Sequence, residues 1–110
     1  MSFPRRHTRK ITVDGVAYQW HLNGDFDFRF EAWIVIGQKG QTGQLIFLDP
    51  YHPKFVIGPR VVAEAIRFAR AHGWQSEVPG KQMRLSSDGT KFTVLPDDWV
   101  RTLVYDQKSA

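Results

Sequence analysis

The Asp14-Gly15 dipeptide constrains this chain more than any other feature. It stands between two alternating runs, Ile11-Thr12-Val13 and Val16-Ala17-Tyr18-Gln19-Trp20. A two-residue type I′ turn needs positive φ at both central positions, and Asp-Gly meets that need. With the turn there, Val13 faces Val16, Ile11 faces Tyr18, and Arg9 faces Trp20. Side chains alternate along a strand, so one side of the hairpin reads Ile11, Val13, Val16, Tyr18, Trp20 and Leu22. That side is the expected core face. The other reads Thr12, Ala17, Gln19 and His21.

The same logic extends along the chain. Asn23-Gly24-Asp25 is a turn cluster. Phe28 to Ile36 predicts a longer strand with Phe28, Phe30, Ala32, Ile34 and Ile36 on one face. Trp33 and Val35 make its second face apolar, as in a strand covered by another layer. Gly37 to Gly43 reads as a flexible strand-to-strand loop; a phosphate-cradling loop would run into a helix. Leu45 to Leu48 predicts the next strand. Asp49-Pro50-Tyr51-His52-Pro53 ends it, because two prolines fix φ and remove ladder donors.

Gly58-Pro59 opens the main helix, about 59–72, with proline at its favoured first position. Val62, Ala65, Ile66 and Ala69 recur at helical spacing. Gly73 followed by Trp74 predicts a Schellman stop. Arg60, Arg67 and Arg70 fall on its exposed side. Gln82–Leu85 and Lys91–Leu95 flank a second Asp-Gly hairpin at Asp88-Gly89, with Leu85 expected opposite Phe92 and Met83 opposite Val94. Pro96-Asp97-Asp98 predicts a short C-terminal helix, although residues 100–105 also have strand propensity.

Strands grouped apart from helices indicate an α+β fold: a mostly antiparallel sheet of five to six strands with the main helix on one face. The expected organisation is a flexible basic arm over 1–8, one domain over 9–106 and a tail over 107–110. A length of 110 residues and 42% hydrophobic residues suffice for one core. Eight Phe, four Trp and three Tyr supply large buried areas.

Charge and cysteine content narrow function. Arg5, Arg6, Arg9 and Lys10 account for the whole net charge of +4, since eleven further Lys/Arg balance 11 Asp/Glu. Such an arm can neutralise phosphates but reads no sequence by itself. With Trp20 opposite Arg9, an exposed indole could stack a base; a core indole under a cation is the plainer reading. The chain has no cysteine, which excludes disulfides, thiol catalysis and cysteine-ligated metals. The four histidines are scattered, so neither a metal site nor a cofactor is expected. No Gly-x-Ser-x-Gly elbow is present. The first thirty residues hold no apolar stretch of signal-peptide length, and the longest apolar run is Ala32–Ile36. A cytoplasmic location without membrane contact follows as the expectation.

Asp49, Tyr51 and His52 place a carboxylate, a phenol and an imidazole in one rigid loop. Adjacency in sequence is not catalytic geometry, and a stiff connector explains the loop as well. Trp33, Val35, Phe47, Tyr51 and Phe55 make a candidate second apolar surface of the kind that marks an interface. The leading functional expectation is a non-enzymatic binding module that self-associates or contacts a protein partner. The alternatives are a nucleic-acid-binding accessory using the arm, and a small-molecule binder with a pocket near residues 49–53.

Overall fold

A computed structural model of the protein describes residues 8–23, 32–40, 43–50, 57–88 and 91–99. Six strands and one helix follow in the order β1 (Arg9–Val13), β2 (Val16–Asn23), β3 (Trp33–Gln38), β4 (Ile46–Leu48), α1 (Pro59–Ala71), β5 (Met83–Ser87) and β6 (Phe92–Val94). The fold is α+β. All six strands form one sheet in sequential order. Neighbours pair antiparallel except β4 and β5, which run parallel and are joined through α1.

The first hairpin has the register that its turn dictates: Val13 opposite Val16, Ile11 opposite Tyr18, Arg9 opposite Trp20. Asp14 and Gly15 carry φ of 51° and 82°, the paired positive values of a type I′ turn. The second hairpin forms with a different register. Leu85 lies opposite Val94 and Ser87 opposite Phe92, two residues from the expected pairing. The cause is Asp88, whose backbone N–H donates to Lys91 O at 3.1 Å and whose Oδ1 accepts the Lys91 N–H at 2.7 Å. Asp88 therefore closes the turn, and the carboxylate stabilises that closure. A shift of two preserves facing, so Leu85 still points inward.

α1 begins at Pro59 and stops as its sequence requires. Trp74 N–H donates to Ala69 O at 2.9 Å and Gly73 N–H to Arg70 O at 3.3 Å, with Gly73 at φ 96°. These are the two bonds of a Schellman motif, and Trp74 folds back into the core, 3% exposed. Val62, Ala65, Ile66 and Ala69 are fully buried against Val13, Tyr18, Trp20, Ile34, Ile36, Ile46, Leu48 and Leu85. Each large aliphatic side chain buried there stabilises the fold by about 1.5–3 kcal/mol. The Tyr18 hydroxyl sits inside this layer and accepts a hydrogen bond from Arg70 Nη1 at 3.0 Å. Arg67 reaches Asp14 at 3.4 Å. Two of the three helix arginines thus tie the helix to the first hairpin, where simple solvation was expected.

Further local details differ from expectation. Leu22 is 38% exposed, and among the described residues the β1 pairing reaches only to Trp20. β3 runs on to Gln38, whose Oε1 accepts from Ser76 Oγ at 2.6 Å. Gly43 is a packing residue: a Cβ there would overlap Ser76 O and lie 2.8 Å from Val78 N. Residues 96–99 make a turn, Trp99 N–H donating to Pro96 O at 3.0 Å. The remainder of the expected C-terminal helix, the start of the predicted strand at Phe28 and the arm over 1–7 lie outside the described residues.

Gly43→Ala is expected to destabilise the protein by about 1–3 kcal/mol, the usual cost of forcing atoms into a packed site. A lowered urea midpoint with an unchanged slope is the diagnostic result.

Candidate functional site

The sheet has two unlike faces. On the helix side, Trp20, Ile36, Ile46 and Met83 fall in one row across the strands, and Leu22, Ile34, Leu48, Leu85 and Val94 in the next. On the far side, His21, Val35, Phe47 and Arg84 are in register.

The far face was the expected apolar interface. Trp33 is only half-buried there and meets Phe47 edge-on at 6.0 Å. Trp99 also packs edge-on against Trp33, 5.7 Å between centroids, and its carbonyl accepts from Arg84 Nη1 at 3.5 Å. Lys81 pairs with Asp97 and anchors the same turn. The 95–99 segment therefore covers part of this surface. None of Trp33, Val35 or Phe47 is among the prominently exposed apolar residues. Asp49 is buried at the end of β4, its backbone N–H donating to Leu85 O at 2.8 Å. It extends the sheet. Tyr51, His52 and Phe55 lie outside the described residues, as do Arg5 and Arg6.

The notable opening is on the helix side. A cleft of about 540 Å³ lies where the β1 start, the β2 end and the α1 start converge. Among the described residues Arg9, Trp20, Leu22, Ile57, Gly58 and Pro59 line it. Among the described residues, Leu22 and Ile57 are two of the four exposed large hydrophobic side chains. Trp20 is 5% exposed and packs in the core. The exposed indole needed for base stacking is therefore not what the fold supplies. The Arg9 guanidinium lies over it, 6.0 Å from the ring centroid, in the cation–π contact that the hairpin register implies.

The charge on the described lining of the cleft is positive. Arg9 is its one charged lining residue among those described, and no described carboxylate pairs with it. α1 starts beside it without a side-chain cap and without an acidic residue in its first turn. Its unpaired N–H groups keep their partial positive charge. Arg60 pairs with Glu64 at 3.6 Å on the outer surface. Arg9, Trp20 and Gly58-Pro59 each carry a local signal in the sequence, but only the tertiary fold, by returning α1 to the β1–β2 ends, brings them together.

Two other charged positions stand out. Lys10 lowers the Lys39 pKa, first because the neutral Lys39 amine can accept a hydrogen bond from the Lys10 ammonium and second through charge repulsion. His21 is buried on the far face, and its pKa is lowered by desolvation. Among the described residues no three His, Asp or Glu side chains gather as a metal site requires. No described helix is long and apolar enough to cross a membrane. Comparisons with protein-family models, curated proteins and solved structures return no match to this chain.

The His21 shift predicts a pH response. Unfolded His21 takes up a proton near pH 6.5, while the folded residue resists until lower pH. Stability present above that point should fall as pH drops toward the folded pKa. Chemical denaturation at pH 7.5 and pH 5 should show His21→Gln losing less stability over this interval than the native protein.

Proposed function

We propose that this protein is a small non-enzymatic binding module that works by seating an apolar group of its partner in the cleft between the first hairpin and α1. The observation that carries the reading is the meeting of exposed Leu22 and Ile57 over Trp20 in one concave space. Isolated exposed apolar residues are ordinary; two that line the same cleft mark a place where burial is gained on binding. The cleft's size falls within the range of ligand pockets. The sequence-level expectation of self-association or a protein partner is served by the same seat, since a partner's apolar side chain would also fill it.

Leu22→Asp and Ile57→Asp test this reading. Both positions are partly exposed, so each variant is expected to unfold within a few degrees of the native protein. Each should also abolish the blue-shifted fluorescence of an added apolar dye bound at the cleft, and any concentration-dependent association seen by sedimentation. Native-like dye binding and association in both folded variants would remove the cleft from the function.

The closeness of Lys10 and Lys39 supports a second reading, attachment to a polyanion such as nucleic acid, with the basic residues before Arg9 adding to it. Anisotropy titration with labelled oligonucleotides at two salt concentrations is the test. Expected is binding that falls steeply with salt and weakens at least about threefold in Lys10→Gln/Lys39→Gln. No binding at low salt would dismiss it.

A further inference from the structure

We infer that the cleft takes a small organic monocarboxylate, its apolar tail on Trp20, Leu22 and Ile57 and its carboxylate on Arg9. This rests on the reading of the cleft as the binding site and adds the chemistry of the ligand.

The lining sets the tail. Leu22 and Ile57 expose apolar surface at 38% and 37%, and the buried Trp20 lines the same cleft. Nothing in that set solvates a polar tail. The mouth sets the head. Arg9 is held over Trp20 and has no described acidic partner, so its guanidinium keeps its donors available to a ligand. The planar fork of a guanidinium matches a carboxylate in two parallel hydrogen bonds. The one positive side chain among the described lining residues suits a single negative charge. Lys10, the next cation along β1, points to the opposite side of the sheet by strand alternation and adds nothing at the mouth. The uncapped α1 start at Gly58-Pro59 contributes potential of the same sign. A lining of separate hydrophobic and cationic parts, in a space of about 540 Å³, fits a free amphipathic acid better than a polyanion.

The test uses the full chain and three ligands with the same tail: octanoate, octan-1-ol and octylammonium. Amide and indole shifts are followed by ¹⁵N NMR, with the Trp20 indole signal assigned through Trp20→Phe. The expected result is saturable shifts at residues 20, 22, 57 and 58, with octanoate binding about tenfold more tightly than octan-1-ol, the size of one charge-assisted hydrogen-bonded contact. Octylammonium should bind weakest. Arg9→Gln should erase the octanoate preference and leave octan-1-ol affinity within about twofold, while Arg9→Lys keeps part of it. Equal binding of all three ligands at these residues would overturn the carboxylate assignment and leave the cleft as an apolar site. Saturable binding of none of them at these residues would overturn the cleft reading and the ligand assignment together. Circular dichroism of each variant confirms that the fold is retained.

Discussion

The parallel pairing of β4 with β5 is the constraint on which the rest of the structure depends. Parallel neighbours cannot be joined by a tight turn; the chain must leave the sheet, cross it and return. Here the crossing segment contains α1, and its apolar stripe of Val62, Ala65, Ile66 and Ala69 lies fully buried. Every other strand connection is antiparallel between neighbours. The one crossover thus decides which sheet face becomes the core. It also brings the helix start to the ends of β1 and β2.

Polar groups secure that packing at its far end. Tyr18 is almost completely buried, and an unpaired buried hydroxyl would cost about 1–3 kcal/mol. Arg70 supplies its partner from the last turn of the helix, where a cation also suits the helix dipole. Trp74, turned inward by the Schellman motif, packs beside the Tyr18 ring at 6.0 Å. The helix end, the first hairpin and the chain reversal at Gly73 therefore support one another. The opposite end of α1 has no such closure. It begins without a cap side chain, and there Leu22 and Ile57 remain partly exposed around the cleft.

The candidate site was legible in the sequence only as fragments. The Arg9–Trp20 contact followed from the Asp14-Gly15 turn, because a two-residue loop fixes every pair up the hairpin. Gly58-Pro59 followed from proline's preference for the first helical position. Leu22 was assigned to the core by alternation, correctly for its facing and wrongly for its burial. Alternation says which side a residue takes; it does not say how much of it other segments cover. The aromatic surplus was read as an exposed second face, but Trp99 covers part of it by returning across β5 to Trp33. That return depends on the pairing of Lys81 with Asp97, which has no local signal.

By itself, the sequence determined what short-range chemistry can dictate. Positive φ at Asp14-Gly15 set the first hairpin and its register, and Gly73 before an apolar residue set the helix stop. The helical spacing of four apolar residues set the buried stripe. The tertiary structure decided what depends on distant segments meeting. It required glycine at position 43 because residues 76–78 pass against it. It also joined Arg9, Trp20, Leu22 and the α1 start in one cleft. The physical reason is the same in each case: backbone dihedral preferences and side-chain periodicity act within a few residues, whereas burial and charge proximity arise only when the crossover has laid the helix on the sheet.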